Sequence, residues 1–357
     1  MPKVVVAMSG GVDSSVAAAL LKQQGHDVTG IMLRLWSEPG KEDSNRCCTP
    51  DSMAQARRVA AKLDIPFYVI DAKEIFRQTV VEFFLEGYAK GETPNPCLVC
   101  NRRIRWEFLL EHALALSADF MATGHYVRRR LADDGRIELL KAVDPAKDQS
   151  YVLHVLTQEK LAKALFPVGD YPKPEIRRIA AAFGLPTASR ADSQDLCFLA
   201  GDDYRNFIRR NAPQIASAGP ILARDGKVLG EHQGLPYYTI GQRKGLGFSS
   251  PLPMYVLGKD AQTNALIVGG ADELGQSELL ASDVNWMGGE IPSTPFHAQV
   301  KTRYTAREAP AEVVPLDNGT KARVQFESPQ RDITPGQAAV FYNGEVVVGG
   351  GVILSSR

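Results

Sequence analysis

Ser9-Gly10-Gly11-Val12-Asp13-Ser14-Ser15 is the stretch on which the fold turns. It follows Val4, Val5, Val6 and Ala7, an apolar run of strand length, and precedes an Ala- and Leu-rich segment of helix length. Two glycines between a strand and a helix permit a tight turn and a close approach of backbone to ligand. The N–H groups of the helix start, with serine hydroxyls beside them, suit a pyrophosphate. No Gly-Lys-Ser/Thr follows, so this is not a Walker loop, and the spacing is not that of a GxGxxG fingerprint. The same letters also fit a plain turn capped by Ser9 or Asp13; the strand before and the helix after favour the phosphate loop.

Outward from that loop, short apolar runs alternate with longer helical stretches up to about Ala200, which predicts an α/β domain with a helix-covered parallel sheet. Strands are expected over Val4 to Met8, Val28 to Leu33, Phe67 to Ile70 and Phe120 to Ala122, with helices over Ser14 to Gln24, Asp51 to Leu63, Lys73 to Tyr88 and Arg103 to Leu116. Met53, Ala56, Val59, Ala60 and Leu63 recur at three and four residues and give the second helix one buried face. Beyond Gly201 the composition shifts to Gly, Pro and short alternating runs such as Ala265 to Val268, Arg323 to Phe326 and Ala338 to Tyr342, the pattern of antiparallel sheet or small barrels. A break near Leu274 to Asp283 divides this half. The expected units are residues 1–200, a central β-rich module at 201–278 and a C-terminal β-barrel at 279–357.

The chain has 357 residues, 44% of them apolar and 23% charged, which excludes a disordered protein and favours two or three cores. The first apolar run is far too short for a signal core, and no stretch approaches the roughly 20 apolar residues of a membrane helix, so a soluble cytoplasmic protein is expected. In that reducing setting the five cysteines point to thiol chemistry or metal binding rather than a disulfide framework. Lys plus Arg equals Asp plus Glu at 41 each, so any nucleic-acid site is a local patch.

Three cysteines stand in polar, turn-like surroundings. Cys97 and Cys100 lie in Thr93-Pro94-Asn95-Pro96-Cys97-Leu98-Val99-Cys100-Asn101, where two prolines are expected to hold an extended loop and present the thiols. Cys197 lies in Asp192-Ser193-Gln194-Asp195-Leu196-Cys197-Phe198. Arg102 and Arg103 are candidates to favour a thiolate, whereas Cys47 and Cys48 read as small buried hydrophobes.

The loop resembles that of the PP-loop ATPases, which split ATP to AMP and pyrophosphate. With it in order come Asn95-Pro96 with Cys100-Asn101, Thr123-Gly124-His125-Tyr126, Lys147-Asp148-Gln149-Ser150-Tyr151, Ser193 to Phe198, and Gly241-Gln242-Arg243-Lys244-Gly245-Leu246-Gly247. Together they resemble the tRNA-specific 2-thiouridylases over essentially the whole chain. The resemblance implies ATP held by Ala7, Met8, Ser9, Gly10, Gly11, Val12, Asp13, Ser14, Met32 and Gly124, Mg²⁺ accompanying it, and Cys100 and Cys197 as the catalytic pair, forming a disulfide in turnover. It implies tRNA contacts at Asn95, Pro96, Cys97, His125, Lys147, Asp148, Gln149, Arg303, Tyr304 and Gln337, with the wobble uridine of the anticodon loop as target. A sulfur-donor protein carrying a persulfide is the implied partner. In one form of the family an Asp occupies the place of Cys97, so a carboxylate base is absent here. That substitution leaves Cys97, Cys100 and Cys197 as three soft ligands for a [4Fe-4S] cluster with one open iron, or for zinc.

The implied reaction fits the chemistry of the base. The C2 oxygen of uridine leaves poorly until an adenylyl group turns it into a phosphate leaving group, after which sulfur attacks C2. PP-loop ligases that add an amine share the loop and need no thiols. A zinc- or cluster-binding RNA module would keep the thiols and need no Asp13.

Overall fold

The computed structural model describes residues 1–41, 49–191, 196–331 and 333–357 of the chain. Cys47, Cys48, Ser193, Gln194 and Asp195 lie outside the described residues. The first domain is built on a five-stranded parallel sheet of order β3-β2-β1-β4-β7, with β1 Lys3–Ala7, β2 Asp27–Arg34, β3 Phe67–Asp71, β4 Phe120–Ala122 and β7 Ala164–Leu165. Val4, Val5 and Val6 in the central strand are wholly buried, as a parallel strand covered on both faces requires. Helix α1, Val12–Gln23, packs between this sheet and helix Lys173–Ala182, which is why nearly all of it is apolar or small. Helix α2, Pro50–Lys62, is capped by Thr49, whose hydroxyl accepts from the Ser52 N–H.

The cysteine segment departs from the expected extended loop. A continuous helix occupies residues 96–115, with Asn95 as its N-cap, its Oδ1 accepting from the Cys97 N–H at 3.2 Å, and Pro96 in the first turn. The asparagine and proline that read as loop formers are the start signal of the helix, because Pro at the first helical position has no N–H to waste. Cys97 and Cys100 therefore sit in the first helical turns.

A hairpin of β5 Val127–Leu131 and β6 Ile137–Lys141 leaves the first domain and joins the sheet of the C-terminal unit, where β6 meets β17 at Leu140 and Val346. The central module holds a four-stranded sheet of order β10-β11-β8-β9, formed by Gly219–Ala223, Val228–His232, Tyr255–Asp260 and Ala265–Gly269 for β8 to β11. In the C-terminal unit β12 Gln276–Trp286, β13 Phe296–Lys301, β14 Ala309–Leu316, β15 Lys321–Gln330, β16 Ala338–Asn343 and β17 Val346–Ser356 close as a six-stranded barrel through the pairing of β12 with β17. Closure removes the open edges that six exposed strands would carry. Residue 278, the division expected from composition, falls inside β12, which begins at Gln276. Among the described residues no helix is long and apolar enough to cross a membrane.

Candidate functional site

After β1 ends at Ala7 the chain turns through Ser9-Gly10-Gly11 into α1, whose N-cap is Gly11 with no capping side chain. Neither Ser9 nor Asp13 caps the helix, so its first N–H groups face the cleft, where the helix dipole favours an anion. The hydroxyls brace the turn instead. Ser14 Oγ accepts from the Ser9 N–H at 3.2 Å, and Ser15 Oγ donates to the Gly11 carbonyl at 2.7 Å. Gly10 is required on two grounds: its φ is +75°, and a Cβ there would stand 2.2 Å from the Ser52 carbonyl oxygen. A Cβ on Gly124 would stand 2.6 Å from the Ser14 nitrogen, so the Thr123-Gly124-His125 turn lies directly on the first turn of α1.

These two turns together border a cleft of about 280 Å³. Its lining is Ala7, Ser9, Gly11, Val12, Asp13 and Ser14 from the loop and helix start, Gly124, His125, Tyr126, Lys147 and Gln149 from the second turn and the segment after it, and Arg105, Lys173, Arg190 and Tyr304 from elsewhere in the chain. Met8 faces an adjoining hollow, and the Gly10 carbonyl accepts from Arg190 at 3.2 Å. Met32, in β2, does not line the cleft; it is 1% exposed and packed in the core.

The charge in the cleft is organised around Asp13. Lys173 Nζ donates to its two oxygens at 2.7 and 2.8 Å, and Tyr126 Oη donates at 2.6 Å. The Lys173 ammonium also lies over the Tyr126 ring, 5.5 Å from its centre. Lys173 and Arg190 carry no motif in the sequence. The one legible sign is that Lys173 opens a helix, where the dipole disfavours a cation. His125 is buried, its Nδ1 hydrogen-bonded to Thr123 Oγ1 at 2.8 Å; burial, and then the nearby Arg105, hold its pKa well below the ordinary value, so the ring is neutral.

Cys100 lines a second, narrow hollow of about 40 Å³ with Ile31, Leu33, Leu35 and Ile104, and this hollow shares Ala7, Ser9 and Arg105 with the cleft. Cys100 and Cys197 both pack against one aromatic cluster that includes Phe76, Phe84, Phe198 and Phe207. Cys97 is exposed at the helix start. Arg103 does not serve the thiols: helical winding turns it outward to Glu107, at 3.0 Å. No disulfide joins Cys97, Cys100 and Cys197, so the expected disulfide is not a feature of this structure.

The residues expected to meet RNA fall into two groups. Lys147, Gln149, His125 and Tyr304 line the cleft, and Tyr304 is 42% exposed. Burial raises the Tyr304 phenol, with the charges of Asp148 and Cys97 adding to the shift. Several of these residues, Gln149 in the cleft among them, also make hydrogen bonds within the fold. Asp148 Oδ1 accepts from the Ala142 N–H at 3.0 Å and its Oδ2 from Ser150 Oγ at 2.7 Å. Gln149 Oε1 accepts from the Tyr126 N–H at 2.9 Å. Asn95 caps the cysteine helix and Pro96 is buried in its first turn. Arg303 donates to the Ile240 carbonyl at 3.1 Å and to Thr334 Oγ1, beside a separate hollow lined by Arg205, Gln242 and Lys244. Gln337 Nε2 donates to the Thr93 carbonyl at 2.8 Å, two residues before Asn95.

Among the described residues no three His, Cys, Asp or Glu side chains converge as a metal site. Cys97, Cys100 and Cys197 are not gathered into such a group here: Cys97 is exposed, and Cys100 lines the narrow hollow, which Cys97 does not. Mg²⁺ makes a different demand: it is commonly held by one or two carboxylates together with substrate phosphates, and Asp13 on the phosphate side of the cleft fits that arrangement.

A phosphate-binding helix start at the carboxyl edge of a parallel sheet, opening beside a thiol, places the chain among the α/β enzymes that handle a nucleotide there. The tRNA methyl transferase HUP domain family matches residues 2–201, the tRNA methyl transferase PRC-barrel domain family residues 205–270, and the aminomethyltransferase beta-barrel domain family residues 276–353. The chain is 48% identical to the tRNA-specific 2-thiouridylase MnmA of Roseiflexus castenholzii, over 99% of each chain, and 49% identical to that of Moorella thermoacetica, over 98% of this chain and 99% of the relative. The MnmA of Chloroflexus aggregans is 48% identical over 99% of this chain and 98% of its own. The chain belongs to the tRNA-specific 2-thiouridylase MnmA family.

Proposed function

We propose that this chain is a cytoplasmic, ATP-dependent tRNA sulfurtransferase that converts the wobble uridine to 2-thiouridine, with release of AMP and pyrophosphate. The observation that carries the reading is the shared wall of Ala7, Ser9 and Arg105, which sets the Cys100 hollow against the phosphate-loop cleft. A site that places an adenylyl group on a carbonyl oxygen must bring sulfur to the adjacent carbon, and these two hollows are contiguous.

The target base, splayed out of the anticodon loop, enters over Tyr304 and His125, whose neutral ring neither repels the base nor competes for the phosphates. The uncapped N–H groups of α1 receive the phosphates, and Lys173 and Asp13 set the charge balance around them. With ATP, Mg²⁺ would sit at Asp13 and neutralise the phosphates.

The C2 oxygen attacks the α-phosphorus and pyrophosphate leaves. A persulfide on Cys197, loaded by a donor protein, attacks C2 through its terminal sulfur, and AMP departs with the oxygen. The Cys100 thiolate then attacks Cys197 Sγ, breaking the S–S bond to the base, so the thione is released and a Cys100–Cys197 disulfide forms. A dithiol reductant reopens that disulfide. Packing of both cysteines on one aromatic cluster supports this pairing.

Mass spectrometry of tRNA nucleosides after incubation with ATP, Mg²⁺ and a persulfide donor tests the reading. The expected product is 2-thiouridine appearing only when ATP is present. Unmodified uridine in every arm, from folded protein, would overturn it.

A further inference from the structure

We propose that Arg105 is a catalytic residue that grips the adenylyl phosphate on its thiol-facing side during sulfur transfer, an inference that rests on the reaction proposed above. Of the three residues that line both hollows, Arg105 is the cation, the others being Ala7 and Ser9. The helix places it there by its winding. Cys100–Leu109 is wound as a π-helix, whose i to i+5 bonding brings residues five apart toward one face, and Arg105 is five beyond Cys100. Arg103, closer in sequence, points away to Glu107.

The geometry of the reaction fixes what a cation at that place must meet. Pyrophosphate departs on the Asp13 and Lys173 side, where both oxygens of Asp13 already face the ammonium. The AMP that remains is esterified to the oxygen on C2, the atom sulfur must reach, so its phosphate lies on the wall between cleft and thiol hollow. When the C–O bond breaks, the leaving phosphate gains negative charge. A planar guanidinium fork matches phosphate oxygens in pairs, which a lysine ammonium does not. Arg105 therefore has little to do while pyrophosphate leaves and most to do while AMP leaves. The neutral state of His125 alongside keeps a second cation from competing for that phosphate.

The test compares Arg105→Gln and Arg105→Lys with the unmodified protein in two measurements. Equilibrium binding of AMP and of adenosine, without RNA, isolates the phosphate contact: AMP should bind Arg105→Gln about 10- to 100-fold more weakly while adenosine is unchanged, with Arg105→Lys between. In single turnover with tRNA at saturating ATP, pyrophosphate release should change less than about threefold in Arg105→Gln while 2-thiouridine formation falls about 100-fold. Equal losses for AMP and adenosine, or none for either, overturn the proposal, as does a parallel fall of both half-reactions. If the unmodified protein makes no 2-thiouridine, the proposed reaction fails and this role with it. If it thiolates and Arg105→Gln binds AMP normally, only the role of Arg105 fails.

Discussion

Lys173 Nζ stands 2.7 and 2.8 Å from the two oxygens of Asp13, joining the first turns of two helices 160 residues apart in sequence. Asp13 sits where a helix dipole welcomes a negative charge, and Lys173, 8% exposed, sits where one opposes a positive charge. The pair settles that conflict and leaves a cation stored beside the phosphate loop. Lys173→Met should lower RNA-dependent pyrophosphate release about 100-fold by removing that charge. It should also cost roughly 1–2 kcal/mol of stability, less than a fully buried pair because Asp13 retains 30% side-chain exposure. Pyrophosphate assays and urea unfolding measure the two; normal release from the folded variant would make the pair purely structural.

The thiols should separate the two halves of the reaction. In Cys100→Ser and Cys197→Ser, pyrophosphate release should persist within about fivefold, since neither side chain lines the phosphate cleft, while 2-thiouridine falls below about 1% of the unmodified protein's yield. Both positions are half-buried and the exchange nearly keeps volume, so unfolding midpoints should move little. Cys97→Ser, at an exposed thiol outside the hollow, should keep substantial thiolation. If Cys197→Ser thiolates at the normal rate, the persulfide route is wrong.

The parts of this molecule that sequence reasoning reaches are those set by local chemistry. The glycine pair at Gly10-Gly11, the strand before it and the apolar helix after it can be read directly, because a turn with φ of +75° needs glycine wherever it occurs. Four of the five strands of the first sheet emerge within two residues because they are short apolar runs, most fully buried in β1, while the two-residue β7, Ala164–Leu165, leaves no such run and is missed. The cysteine segment is harder, since Asn95-Pro96 reads equally as loop or helix start, and only the Asn95 bond to Cys97 decides. The β5–β6 hairpin has a signal in Asp134-Gly135 between alternating runs, but its addition to the barrel of another unit is a tertiary fact. Lys173, Arg190 and Arg105 are invisible for a related reason, as a lone cation acquires meaning only from what folds against it. Gln337 and Asp148, expected at RNA, carry a second part that no motif announces, hydrogen bonds that fasten the fold's own turns.

That fastening gives Gln337 a measurable part in coupling the barrel to the thiols. Its amide donates to the Thr93 carbonyl, the Thr93 N–H donates to Pro335 at 2.9 Å, and a Cβ on Gly336 would stand 3.0 Å from Thr93 backbone atoms. The barrel turn at Pro335 to Gln337 thus holds the segment that leads into the Asn95 cap. Gln337→Ala should reduce thiolation about tenfold while leaving tRNA affinity and its salt slope near normal, because an uncharged contact releases no counterions. Arg307→Ala, at an exposed cation on the loop that follows Tyr304, should instead flatten the slope by about one if it meets a phosphate. Filter binding across salt concentrations, with rates measured alongside, distinguishes the two. A Gln337→Ala variant whose whole defect lies in affinity would place this side chain on the RNA.

Acid sensitivity should begin at the histidines that the fold buries in neutral form. Burial lowers the pKa of His154 from 6.5 to about 4, against a smaller opposing effect of its Nδ1 contact with the Tyr151 carbonyl at 2.8 Å. His125 is displaced in the same direction, also by burial first. Above about pH 7.5 both are neutral whether folded or unfolded and contribute no slope. As pH falls through 6.5 the unfolded chain takes up protons that the folded protein refuses, so stability drops until the folded pKa is reached, for His154 by roughly 3 kcal/mol in all. The carboxylates held low by ion pairs, Asp202 and Glu38, release their contribution only below the ordinary carboxylate range, so between pH 7.5 and 5 the histidines dominate. Urea unfolding should give a flat stability down to about pH 7.5, a decline that steepens through about pH 6.5, and a slope below it approaching 2.7 kcal/mol per pH unit if both titrate, one proton for each ring. His154→Asn should remove about half of that decline, and a stability independent of pH from 7.5 to 5 would show that neither ring is neutral because of the fold.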